Sequence, residues 1–168
     1  MAVDIGGTNT RITITTEDIF TPMFEYKFLC SSKETLLKNL NEIEQKLQKE
    51  SINSEKGFEI KASVLAIAGP ISKFGEFVSI TNYNGNEEEK EIDVSELPSI
   101  LFPKKKTIFI NDLTGTCLGI LALNKANLLP DFFKFGWNHT SNQTLQIDNK
   151  HSYLVMAVGT GMGKKKFI

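Results

Sequence analysis

The run Val64-Leu65-Ala66-Ile67-Ala68 is apolar at every position and stops abruptly at Gly69-Pro70. An unbroken apolar run that short reads as a strand of a parallel sheet covered on both faces. Parallel strands need crossover connections, usually helical, so this run restricts the chain to a layered α/β fold. Three further segments read as short buried strands: Ala2 to Ile5, Thr107 to Ile110 and Tyr153 to Val158. Each ends in a loop with chemical potential. The loops are Asp4 to Asn9, Gly69-Pro70, Asn111-Asp112 and Gly159 to Gly163. In open α/β sheets ligands bind beyond the carboxyl ends of the strands, so four such loops are expected to converge on one cleft.

The remaining segments fit around these strands. Arg11 to Thr15 alternates and reads as the hairpin partner of the first strand, and Phe24 to Cys30 as a third strand. Leu36, Leu40, Ile43 and Leu47 recur at helical spacing, and Ser31 with Glu34 has the spacing of a capping box. Ser51 to Gly57 reads as a polar connection, Phe77 to Ile80 as a short strand, and Thr81 to Gly85 as a turn. Glu87 to Glu91 is a charge run expected to be a solvated surface, and Leu113 to Leu123 a helix. The expected organisation is a first domain over 1–125, a connection over 126–151, and the beginning of a second domain over 152–168.

Composition narrows the function classes. Among 168 residues, 19 Lys and Arg against 20 Asp and Glu give a formal charge of −1, so no basic field for nucleic acid is expected. No apolar run approaches the about 20 residues needed to cross a membrane. Met1 leads straight into the first strand without a secretory pattern. Cys30 and Cys117 lie far apart in apolar contexts and read as buried thiols rather than a disulfide or a metal knuckle. The sequons at Asn138 and Asn142 read as chance matches. A cytoplasmic, reduced protein is the expectation.

The loops carry the chemistry. Asp4-Ile5-Gly6-Gly7-Thr8-Asn9 places a carboxylate beside a Gly-Gly turn between two strands. Such a turn brings backbone N–H groups close to an anion, and Thr8 and Asn9 can donate to phosphate oxygens. The Asp4 carboxylate can hold a magnesium ion directly or through water. An ordinary hairpin turn explains the same residues. Asp112 stands rigidly after a strand, where it can take a proton from a substrate hydroxyl, or simply cap the following helix. Gly159-Thr160-Gly161-Met162-Gly163 is a second phosphate-loop candidate, although it matches neither the P-loop nor the dinucleotide fingerprint. His139 and His151 have no neighbouring metal-ligand partner in the sequence.

Taken in order, Asp4 to Arg11, Leu65 to Ser72, Thr81-Asn82, Ile110 to Thr114 and Gly159 to Gly163 resemble the consecutive motifs of the bacterial-type glucokinase family. That family belongs to the actin-like ATPase and sugar-kinase superfamily, so the resemblance implies a ribonuclease H-like domain with a mixed central sheet flanked by helices. It implies ATP and Mg2+ as cofactors and transfer of phosphate to the 6-hydroxyl of glucose or a similar hexose. By resemblance, Asp4 orients magnesium, most simply through water, and Gly6, Gly7, Thr8 and Asn9 contact phosphate. Gly159, Thr160 and Gly161 form the second phosphate loop. Asp112 is the base, and Asn111, Gly69, Pro70 and Asn82 join it on the sugar side. A homodimer of the full-length form stays open.

The resemblance also implies parts that have no counterpart among these residues. Family members are longer, two-domain proteins, and their further sugar ligands (Glu and His) and adenine pocket belong to the second domain. Lys164-Lys165-Lys166-Phe167-Ile168 replaces the apolar strand that succeeds the second glycine loop in the family; Lys164 to Lys166 could touch phosphates, and the plainer reading is a frayed basic tail. The strand Tyr153 to Val158 is then expected to lack neighbours. On these grounds the chain alone is expected to show no hexose kinase turnover. Two alternatives stand beside it: a non-catalytic sugar- or nucleotide-binding module, and a kinase of the same superfamily acting on another sugar.

Overall fold

The computed structural model describes residues 1–16, 21–53, 59–72, 74–134, 146–148, 150–158 and 162–167. The chain divides into two units, Met1–Asp112 and Leu113–Ile168. The first carries β1 (Ala2–Ile5), β2 (Asn9–Thr15), β3 (Pro22–Leu29), α1 (Lys33–Asn53), β4 (Ser63–Ile67), β5 (Phe77–Ser79), α2 (Glu87–Lys90), β6 (Glu91–Asp93) and β7 (Thr107–Asn111). From the boundary onward come α3 (Asp112–Lys125), α4 (Leu129–Phe132), β8 (Tyr153–Val158) and β9 (Met162–Phe167).

Five strands of the first unit form one mixed sheet in the order β3-β2-β1-β4-β7. The β1–β2 and β2–β3 pairs are antiparallel, whereas β1–β4 and β4–β7 are parallel. The helix predicted from the Leu36, Leu40, Ile43, Leu47 stripe is α1, and all four side chains are buried. They join Val3, Ile5, Ile12, Leu65, Ile67 and Phe109 in one core cluster. Burying each such side chain contributes about 1.5–3 kcal/mol before the entropy of ordering it is subtracted.

Local differences from the sequence reading have physical causes. The cap of α1 is Ser32 rather than Ser31: the Thr35 amide donates to Ser32 Oγ at 3.2 Å, and the Leu36 amide to the Ser32 carbonyl at 3.0 Å. Two adjacent serines offer the same chemistry, and one residue of register decides between them. The helix also runs on to Asn53, through the start of the expected connection. Glu87, Glu88 and Glu89 of the charge run are exposed and with Lys90 form α2, a single turn capped by Asn86, whereas Glu91 is half-buried and opens β6. Strand β4 is covered on one face only: Leu65 and Ile67 are fully buried, whereas Val64 is 36% exposed. Its neighbour Ile108 on β7 is 43% exposed, so the sheet presents an open apolar strip among the described residues.

Cys117 is buried in α3, as Cys30 is in the first unit, and both are free thiols. The expectation that Tyr153 to Val158 lacks a partner is corrected, because β8 pairs antiparallel with β9 from Tyr153↔Phe167 to Val158↔Met162. The lysine run is therefore a strand and not a frayed tail. Leu154 and Met156 of β8 are both more than half exposed, so β8 is not buried as expected either. No helix among the described residues is long and apolar enough to cross a membrane.

Candidate functional site

The parallel register fixes the site. Ile5 pairs with Ile67, and Ile67 with Asn111, so β1, β4 and β7 end level with one another at one sheet edge. The segments leaving these strands therefore gather there: Gly6 to Asn9 after β1, Ala68 to Pro70 after β4, and Asp112 after β7. Strands spaced about 4.8 Å apart put β1 and β7 about 10 Å from one another across β4. Four of the site residues predicted from sequence are carried by this edge as strand ends or first loop residues: Asp4, Gly6, Asn111 and Asp112.

Asp4 is the last outward-facing residue of β1, between buried Val3 and buried Ile5. It is directly opposite Arg11 on β2. Partial desolvation raises its carboxyl above the ordinary aspartate range; the Arg11 guanidinium opposes that shift and the charge of Asp112 adds to it. Asp4 and Asp112 therefore sense each other across the sheet edge, although one precedes its strand end and the other lies just past it. A carboxyl raised by burial, with the charge of a second carboxylate adding to the shift, is met more often at functional sites than elsewhere. Asp112 opens α3 as its first residue, directly after the end of β7.

The loop after β1 is a tight turn, closed by the Gly6 amide donating to the Asn9 carbonyl at 2.9 Å. The Cys30 amide donates to the Thr8 carbonyl at 2.9 Å and holds the far side of the loop. Thr8 and Asn9 are exposed, with side chains available to a ligand. Gly7 is required by a close approach: a Cβ there would stand 2.7 Å from Asn82 Cβ. Asn82 is thus brought against the first loop, in an exposed turn whose next residue, Tyr83, is buried.

Gly69 and Pro70 lie beside the same turn. The Thr81 amide and hydroxyl both donate to the Ala68 carbonyl, at 3.3 and 3.1 Å, and the Ser79 amide donates to the Pro70 carbonyl at 3.1 Å. A Cβ on Gly69 would run into the Ser79 carbonyl oxygen. Gly159, Thr160 and Gly161 lie outside the described residues, as do His139 and both sequons. His151 is engaged by Asp148, with Nδ1 2.8 Å from Oδ1. Among the described residues no group of three or more His, Cys, Asp or Glu could hold a metal ion. A cavity of about 610 Å³ opens elsewhere, at the amino end of α1, lined by Ser32, Lys33, Leu37 and Asn84 among others. It contains none of the strand-end residues. Tyr83 and Cys30 are the residues of this region that sequence reading missed as site residues. Cys30 reads only as a buried thiol and Tyr83 as one letter of a turn, and nothing local in the sequence signals that they meet.

A family model for glucokinase matches residues 1–168, the whole chain. The chain belongs to the glucokinase family. Among curated relatives it is 28% identical to glucokinase 1 of Trichomonas vaginalis over 163 residues, covering 97% of this chain and 42% of that protein. It is 26% identical to probable glucokinase 2 of the same organism, covering 95% of this chain and 41% of that protein. Among solved structures, the glucokinase of Balamuthia mandrillaris in complex with glucose is 38% identical with a TM-score of 0.83, over 97% of this chain and 42% of that one. The glucokinase of Leishmania braziliensis, at 24% identity and a TM-score of 0.68, shares the fold. The chain thus spans about two fifths of the length of these relatives. The sheet order and the glucokinase neighbours together give the actin-like ATPase fold that the motifs implied.

Proposed function

We propose that this chain supplies the phosphate-side loop and the catalytic base of an ATP-dependent kinase that phosphorylates glucose at its 6-hydroxyl. The observation that carries the reading is the convergence of Asp4, the Gly6–Asn9 turn and Asp112 on one sheet edge in a chain of the glucokinase family. Asp112 accepts the proton of the 6-hydroxyl. The oxygen then bonds to the γ-phosphorus of ATP, the bond to the β–γ bridging oxygen breaks, and ADP leaves. Such transfer needs positioning and charge neutralisation more than covalent chemistry from the protein. Gly6, Gly7, Thr8 and Asn9 bind phosphate, and Gly159, Thr160 and Gly161 form the second phosphate loop. Asn111, Asn82 and the Gly69-Pro70 loop orient the sugar beside Asp112.

The donor set suits magnesium. Mg2+ usually keeps several waters and takes one or two carboxylates plus substrate phosphates, and Asp4 offers one outward carboxylate beside the phosphate turn. Asp4 would hold the ion, most simply through water, and the bound ion would neutralise charge on the phosphates. Burial raises the Asp4 carboxyl, and a bound cation would favour its charged form. We place residues 1–125 in the sugar-kinase domain, 126–151 in a connection and 152–168 at the start of the second domain, in a protein of the cytoplasm.

The test is a chimaera that joins this chain to the remaining length of the Balamuthia enzyme, assayed for glucose 6-phosphate. Asp112→Ala should lower turnover by at least about a hundredfold while the far-ultraviolet circular dichroism stays unchanged. Turnover within about tenfold of the parent chimaera would remove Asp112 from the role of base.

A further inference from the structure

Three polar side chains from three segments meet in the interior beneath the site. Tyr83, from the turn after β5, is 3% exposed; Cys30, at the end of β3, is 2% exposed; Thr10, on β2, is fully buried. The Tyr83 phenol oxygen lies 3.0 Å from Cys30 Sγ. The Cys30 thiol itself donates to the Ser32 carbonyl at 3.4 Å, which leaves the phenol as the donor to sulfur. Thr10 sits beside the phenol, its hydroxyl short of a formed hydrogen bond. A phenylalanine would fill the same space without burying a hydroxyl, and burying one costs free energy unless it is bonded. The hydroxyl therefore calls for a reason beyond packing.

The backbone around this cluster supplies the reason. The Cys30 amide donates to the Thr8 carbonyl at 2.9 Å, and the Asn84 amide to the Ser31 carbonyl at 3.2 Å. One dipeptide, Cys30-Ser31, thus holds the phosphate-side loop by its amide and the turn of Asn82 by its sulfur and its next carbonyl. Resting on the reading of the site given above, we propose that Tyr83 and Cys30 are positioning residues that clamp the Gly6–Asn9 loop to the Thr81–Asn84 turn, fixing the spacing between the phosphate and sugar sides before any ligand binds. Burial and the neighbouring sulfur hold the phenol above its ordinary range, so it stays a neutral donor at every physiological pH. The contact between Gly7 and Asn82 then seats the turn on the loop.

Amide hydrogen exchange on the 168-residue chain, read residue by residue by NMR, tests the clamp. Tyr83→Phe should speed exchange at the amides of Gly6, Cys30 and Asn84 by about fivefold, the loss of one net hydrogen bond. The amides of Ser63 and Phe109, bonded to Lys106 and Gly75 carbonyls elsewhere in the unit, should not change. Cys30→Ala should reproduce Tyr83→Phe, whereas Cys30→Ser, which keeps a donor and an acceptor, should stay near the parent rates. Uniform acceleration at all five amides would reduce Tyr83 to a global stabiliser and overturn the proposal. So would unchanged exchange in the loop, or Cys30→Ser behaving as Cys30→Ala. Exchange needs neither ligand nor turnover, so its failure is distinguishable from failure of the kinase reading.

Discussion

Gly69→Ala puts the packing of the sugar-side loop under direct test. The added methyl has no room, because it would run into the carbonyl oxygen of Ser79. That carbonyl belongs to backbone that cannot rotate away as a flexible side chain would. Relief requires the 79–81 segment to move away from 68–70. Three hydrogen bonds tie those segments: Ser79 amide to Pro70 carbonyl at 3.1 Å, and Thr81 amide and hydroxyl to the Ala68 carbonyl at 3.3 and 3.1 Å. At about 1 kcal/mol each, losing them costs up to about 3 kcal/mol, and overpacking strain alone costs about 1–3 kcal/mol. A loss of about 2–4 kcal/mol is expected, a large share of the ordinary stability of a domain. Urea unfolding monitored by circular dichroism should show the midpoint falling by about 1–2 M at an ordinary slope. Gly119→Ala is the control. Gly119 is an exposed glycine within α3, nothing lies within 4 Å of the added methyl, and alanine is the better helix former. It should stabilise by about 0.5–1 kcal/mol. Gly69→Ala within about 0.5 kcal/mol of the parent protein would refute the close approach of the two loops.

Three further outcomes are expected. Leu65→Ala, at a fully buried position of the strand between β1 and β7, should cost about 2–5 kcal/mol in the same unfolding assay. The carboxyl of Asp4 is raised in the folded protein, so its charging opposes folding: the penalty is absent below its unfolded pKa, grows as pH rises towards the folded pKa, and is constant above it. Asp4→Asn should therefore leave the melting temperature at neutral pH equal or higher, and a marked loss would contradict that sign. For the same reason magnesium-dependent nucleotide binding should weaken on acidification at a pH above the ordinary aspartate range, and Asp4→Asn should abolish that dependence; calorimetric titration across pH reads both.

The fold was legible where one element carried a complete local signal. Strand β4 announces itself by an unbroken apolar run, β1 and β7 by short mainly apolar ones, and α1 by a stripe in which Leu36, Leu40, Ile43 and Leu47 share one face. The gathering of Asp4, Gly6, Asn111 and Asp112 at one sheet edge was legible too, since strand ends are where a sheet edge presents its loops. What the sequence hid is what depends on contacts distant along the chain. The choice of Ser32 over Ser31 depends on where the helix axis settles against the core. Strand β6 is three residues long and exists because Phe77 to Ser79 pairs with it. Strand β9 has a lysine run with no strand-like alternation, and its pairing with β8 makes it a strand. The partial exposure of Val64 escaped because an apolar run shows which residues can be buried, not which face finds a cover. Tyr83 against Cys30 escaped because 53 residues separate them.

On the proposed function, one sheet edge binds phosphate at the loop after β1 and sugar at the end of β7. Amide NMR of the isotope-labelled chain, titrated first with glucose and then with Mg·ATP, tests it most directly. Weak binding, with dissociation constants on the order of millimolar, is expected, so chemical shifts are the suitable readout. Glucose should shift the amides of Asn111, Asp112 and Asn82, and Mg·ATP those of Ile5 through Thr10. Shifts confined to the cavity at the amino end of α1, or glucose leaving Asn111 and Asp112 untouched, would contradict that function.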